Sequence, residues 1–146
     1  GGVSIYDDYA HHPREIEATL RAARTLNPKR LLVVFQPHRY TRTANLFQDF
    51  ARAFGLADRI WLTEIYPAGE KPIPGVNARM IFEAMTEEQQ AKTVYVSDRH
   101  AMIQEIQKVL QPGDFLLVMG AGDIRQVGEE LSRRMAAQSS GNGQYE

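Results

Sequence analysis

No cysteine occurs among the 146 residues. That excludes disulfides and thiolate metal sites, and it is compatible with a reducing compartment. Long apolar runs are missing too: none approaches the roughly 20 residues of a membrane span, and the start does not read as a signal peptide. Nor is there an excess of positive charge. Lys and Arg number 17 against 18 Asp and Glu, a formal net charge of −1, where a nucleic-acid module carries a basic patch. Neither nucleic acid nor membrane is therefore expected as a partner. The common phosphate cradles are absent as well. "GAGD" (120–123) begins like a dinucleotide fingerprint, but G-x-G-x-x-G needs glycine at 125, where Arg125 stands. "GEKPIPG" does not fit G-x-x-x-x-G-K-[ST] either, so the usual engine of ATP chemistry is not found.

What is present is the balance of a folded domain, 43% hydrophobic and 24% charged, and long enough to bury a core. "GVSIYD" is a β-rich run. Pro13 then suits a first helical position, and Ile16, Leu20 and Ala23 make one apolar stripe that ends at Asn27-Pro28. "RLLVVF" (30–35) is continuously apolar, as a strand covered on both faces must be. Leu46, Phe47, Phe50, Ala51 and Phe54 form the next helical stripe, closed by Gly55. "RIWLTEI" (59–65) reads as a strand and "YPAGEKPIPG" as a loop. Asn77 is expected to cap a short helix through Met85. "TVYVS" (93–97), a helix carrying Met102, Ile103, Ile106 and Val109, the strand "DFLLVMG" (114–120) and a last helix with Ile124, Val127 and Leu131 complete the chain. Strands alternating with helices predict an α/β fold, a mostly parallel sheet with helices on both faces. The polar, Gly/Ser-rich tail "AAQSSGNGQYE" reads as a frayed end.

In such folds ligands bind outside the carboxyl ends of the strands. "DDYAHHP", "QPHRYTRT", "YPAGEKPIPG" and "GAGD" all follow strands, so four unusual polar loops are expected on one edge. The first of them, with Asp7, Asp8, His11 and His12, has three readings: helix capping, a divalent metal site, or nucleotide contact at a helix N-terminus. In the second, His38, Arg39 and Arg42 offer several cationic donors, and arginine forks match carboxylates and phosphates. Its bland reading is a solvated basic loop with Thr43 capping the helix that follows. The acidic pair after the first strand also suits a phosphoryl-receiver module. Such a module needs an Asp after the third strand and a Lys after the last, where this chain has Glu64 and "GAGD".

Taken in order, "YDDYAHHPREIEATLRAAR", "FQPHRYTRTANLFQDF", "EIYPAGEKPIPG" and "VMGAGDI" resemble the C-terminal domain of the Mur ligases. The Asp-Tyr-Ala-His-x-Pro element is shared across that family, and "FQPHRYTRT" with "YPAGEKPIPG" points to the branch that adds L-alanine to UDP-N-acetylmuramate. The muropeptide ligase of cell-wall recycling shares the Asp-Asp-aromatic-Ala-His-His-Pro turn but is not expected to carry "QPHRYTRT". The resemblance implies a Rossmann-like three-layer domain over residues 1–136, with 137–146 a disordered tail. It further implies a cytoplasmic, ATP- and magnesium-dependent ligase of peptidoglycan precursor synthesis. There ATP activates the muramyl carboxylate as an acyl phosphate, which the amine of L-alanine attacks. Asp8 and His11 would face the nucleotide, with His11 and Tyr9 at the reacting centre. His38, Arg39 and Arg42 would hold the alanine. The P-loop, the magnesium ligands and the UDP-sugar site belong to N-terminal and central domains, so this chain alone is expected to be inactive.

Overall fold

Strands and helices alternate along the computed structural model, which describes residues 2–143. In chain order they are β1 (Ser4–Asp8), α1 (Pro13–Arg24), β2 (Arg30–Phe35), α2 (Tyr40–Arg52), β3 (Arg59–Leu62), α3 (Arg79–Ala84), α4 (Glu87–Ala91), β4 (Thr93–Tyr95), α5 (Arg99–Val109), β5 (Asp114–Met119) and α6 (Arg125–Gly143). The five strands form one sheet in the order β1-β5-β2-β3-β4, and every pairing is parallel. The central strands are the two continuous apolar runs. Along β2 the residues alternate between two cores. Leu31, Val33 and Phe35 pack with Ile16 and Leu20 of α1 and Phe50 of α2. Leu32 and Val34 pack with Met102 and Ile106 of α5 and Val127 and Leu131 of α6. The sheet is thus sandwiched in three layers, the α/β architecture read from the sequence.

This strand order also removes the receiver alternative, because β5 lies between β1 and β2 rather than in the 2-1-3-4-5 order of flavodoxin-like domains. Register places Asp8, Met119, Phe35, Leu62 and Tyr95 side by side at the carboxyl ends. All the loops singled out above therefore do leave from one edge. At the opposite edge the charges are satisfied. Buried Asp114 takes both branches of the Arg30 guanidinium at 2.8 and 2.5 Å, and Asp58 accepts from Arg24 and from the Leu31 amide.

Several boundaries differ from the sequence reading. Helix α3 is preceded by Ala78, with no side-chain cap. Asn77 contributes only its carbonyl, which accepts from the Met80 amide at 3.2 Å. Thr86 caps a separate short helix, α4, through the Gln89 amide. Thr43 is not a cap: it lies inside α2 with its hydroxyl donating to the Arg39 carbonyl at 2.9 Å. The last helix continues to Gly143, since Ala136, Ala137 and Gln138 are good helix formers and no glycine intervenes before Gly141. Residues 144–146 of the expected tail lie outside the described residues.

Candidate functional site

Adjacent residues of a strand point to opposite faces, and that splits the acidic pair. Tyr6 stacks on Phe115 on the α1 side at 4.6 Å, and Asp8 shares its side of the strand. Asp7 turns to the other face, where its Oδ1 lies 2.8 Å from the place a Cβ on Gly128 would occupy. Burial, opposed by nothing stronger than Arg125 and reinforced by Glu129, raises the Asp7 carboxyl above its ordinary value. Asp8 is held locally: Oδ1 accepts from the Ala10 amide at 2.7 Å, and its carbonyl accepts from the Gly120 amide. No hydrogen bond to Oδ2 occurs among the described residues, so one oxygen fixes the carboxylate and the other is left to accept.

The two imidazoles part company in the same way. His12 is the N-cap of α1: its Nδ1 accepts from the Arg14 amide at 3.3 Å, and Glu15 reaches back to the His12 amide at 3.0 Å, a capping box. The capping reading therefore holds for His12. His11 faces inward. Its Nδ1 lies 2.8 Å from the Tyr9 carbonyl, which can only accept, so Nδ1 carries the proton and Nε2 is the open position of the neutral ring. Tyr9 itself is 70% exposed. With carboxylates and imidazoles diverging, no three His, Cys, Asp or Glu side chains converge among the described residues.

His38 stands at the centre of the edge. Its ring is 5.9 Å from that of His11 and stacks on Tyr66 at 5.7 Å. Arg42 Nη1 approaches His38 Nδ1 at 3.2 Å. A guanidinium only donates, so Nδ1 accepts and the His38 proton sits on Nε2. Burial, then the charges of Arg42, His11 and Arg39, hold His38 below its ordinary value, against a smaller upward pull from Glu70. The ring is thus neutral at pH 7 and backs a guanidinium whose other branch is open. The Arg39 guanidinium makes no ion pair or hydrogen bond among the described residues. The edge offers two arginine forks, an imidazole pair and one open carboxylate oxygen, at the place where β1 and β2 send their chains to one face and β5, between them, sends its chain to the other. A crevice at such a switch point is where ligands bind.

Three contributors escaped the sequence reading. Tyr66 joins the third loop to the second: its amide donates to the Pro37 carbonyl and its carbonyl accepts from the Arg39 amide, both at 2.8 Å. "GAGD" closes against it, since a Cβ on Gly122 would fall 2.5 to 2.8 Å from the Tyr66 ring. Arg99, the first residue of α5, holds Asp123 at 2.8 Å, and Gln36 donates to the same oxygen at 3.1 Å. Those hydrogen bonds, Arg99's foremost, keep the Asp123 carboxyl below its ordinary value. The third is Glu70, whose carboxylate caps α2 from the loop after β3.

A parallel sheet layered by helices, with its polar loops on one edge, defines a three-layer α/β domain. Residues 1–122 match the family described as Mur ligase, glutamate ligase domain, and the chain belongs to that family, as the C-terminal domain the motifs resemble. It is 49% identical over 137 residues to the UDP-N-acetylmuramate–L-alanine ligase of Geobacter sp. (strain M21), covering 93% of this chain and 30% of the relative. The UDP-N-acetylmuramate–alanine ligase of Thermotoga maritima superposes with a TM-score of 0.68 at 28% identity, over 93% of this chain and 27% of that one. A murein peptide ligase of Psychrobacter arcticus shares the fold, with a TM-score of 0.72 at 22% identity over 90% and 27% of the two chains. The chain thus spans less than a third of the length of the curated relatives it matches.

Proposed function

We propose that this chain is the C-terminal domain of a cytoplasmic ligase that joins L-alanine to the carboxylate of UDP-N-acetylmuramate at the expense of ATP. The carrying observation is the loop 38–42, where Arg42 stands on the His38 imidazole and the Arg39 charge acts on the same ring at the crevice. A free amino acid presents a carboxylate, which an arginine fork takes bidentately. The similarity to L-alanine ligases supports that choice of amino acid.

The residues fit ATP in part. Asp8, with one oxygen fixed and one open, is suited to accept from ribose hydroxyls. His11 Nε2 lies on the same side of the crevice, where the open nitrogen meets the reacting centre beside Tyr9. ATP supplies the activation of the muramyl carboxylate. This chain's residues hold the nucleotide's edge, orient the amino acid by its carboxylate and leave its amine free. Among the described residues no three His, Cys, Asp or Glu side chains gather to hold magnesium; such an ion keeps waters and phosphate oxygens and one or two carboxylates, which this reading assigns to the central domain. The UDP-sugar belongs with the N-terminal domain. No described helix is long and apolar enough to cross a membrane.

The test is ADP release by the full-length protein. The expected result is release that depends on both UDP-N-acetylmuramate and L-alanine. Preference for a muropeptide over L-alanine would move the chain to the recycling ligase, and release that needs neither would overturn the assignment.

A further inference from the structure

Helix α2 begins without any cap of its own. The residue before it, Arg39, offers no side-chain hydrogen bond, and the first turn holds no acidic residue. Arg39 also has φ +75° and ψ 143°, a region that side chains avoid and that persists only where the surroundings over-determine it. The surroundings here are identifiable. The Arg39 amide donates to the Tyr66 carbonyl at 2.8 Å, and the Arg39 carbonyl accepts from the Thr43 amide and hydroxyl at 3.3 and 2.9 Å. The next two amides go to one carboxylate: Glu70 Oε1 accepts from Tyr40 at 2.6 Å and from Thr41 at 3.2 Å, and Oε2 accepts from the Thr41 hydroxyl at 2.6 Å. These bonds, the Thr41 hydroxyl's foremost, hold the Glu70 carboxyl below its ordinary value.

We infer that Glu70 is a positioning residue for the arginine pair. It reaches across 30 positions of sequence to fill the site at the start of α2 that an anionic ligand would otherwise take. In doing so it fixes the helix from which Arg42 projects and the strained residue that carries the Arg39 guanidinium. The substrate carboxylate is thereby directed to the side chains and kept from the helix end. The inference rests on the reading of Arg39 and Arg42 as the amino-acid clamp, and its test has an arm that does not.

In the chain itself, Glu70→Ala is compared with Glu70→Gln by NMR. Loss of the carboxylate is expected to shift the Tyr40 and Thr41 amides. It should also shift the Nε–H signals of Arg39 and Arg42 and lower the His38 titration midpoint, because Glu70 is the group pulling it up. Glu70→Gln keeps an oxygen for the two amides and should restore the arginine signals but not the His38 midpoint. In the full-length ligase, Glu70→Ala should raise the KM for L-alanine about tenfold or more with the KM for ATP little changed, the mark of a misplaced binding group. If the amides move while the arginine and His38 signals stay, Glu70 is a helix cap alone and the inference is overturned. Equal changes in both KM values overturn it too. A wild-type enzyme indifferent to L-alanine refutes the functional reading instead, and the NMR arm then still decides the role of Glu70.

Discussion

Neighbouring residues with the same chemistry have different jobs here, and side-chain direction decides which. Asp8 and His11 face the crevice, while Asp7 lies against α6 and His12 caps α1. At His38 burial and charge act together on one imidazole. Its value is depressed from the ordinary 6.5, by burial first and Arg42 next. A depressed imidazole takes up protons more readily in the unfolded chain. The stability it contributes is therefore complete above about 6.5 and is lost as pH falls through the folded value. An NMR titration of His38 should show a midpoint below 6.5, and Arg42→Gln should move it upward. A midpoint unmoved by that substitution would mean that the Arg42 charge does not act on the ring. Asp8 gives the matching test on the nucleotide side. Asp8→Ala removes a charged acceptor, a loss of about 1.5–3 kcal/mol, and should raise the KM for ATP more than that for L-alanine in the full-length ligase. The reverse order would take the ribose away from Asp8.

At the scale of the element, the edge works because loops after different strands lock onto one another, with Tyr66 as the common piece. Its ring stacks on His38 on one side and leaves no room for a side chain on Gly122 on the other. Gly122→Ala should therefore displace the ring, at a cost typical of overpacking, about 1–3 kcal/mol. The loss should appear as a lower urea midpoint together with a shifted His38 ring signal. Destabilisation with an unchanged His38 signal would mean the "GAGD" turn moved and Tyr66 did not. Much of this frame was legible in the sequence. The runs 31–35 and 115–119 are fully apolar because both faces are covered, and Pro13 marks the first residue of α1. The crevice residues His11, His38, Arg39 and Arg42 could be picked out because charged residues just after a strand have no core to serve. What stayed hidden depends on distance along the chain. Glu70 to Tyr40, Gln36 to Asp123 and Arg99 to Asp123 join residues 24 to 87 positions apart, and no local period signals them. Asn77 misled for the opposite reason: a good capping residue sat one position too early, and a backbone carbonyl took its place.

At the scale of the whole molecule, the two hydrophobic layers share the same central strands, since β2 supplies Val33 to one and Val34 to the other. Neither layer can be opened without exposing the strand that backs the other. The chain should accordingly unfold in urea as one transition, with far-UV circular dichroism and Trp61 fluorescence coinciding; two separated midpoints would show that the layers are independent. Folding by itself does not complete the site. Tyr9 is 70% exposed beside Asp8 and His11, the forks of Arg39 and Arg42 face outward, and nothing in residues 1–146 supplies a glycine-rich phosphate cradle. The crevice thus has one wall, and the charge that develops on a transferring phosphoryl group would meet no preorganised donors from the facing side. The chain alone is expected to release no phosphate from ATP and to form no bond between L-alanine and UDP-N-acetylmuramate. The measurement is phosphate release at high protein concentration with both substrates and magnesium present. Release that disappears on Asp8→Ala or His11→Ala would show that this edge is an active site in its own right. Release indifferent to both would point to a contaminant and leave the one-walled crevice standing.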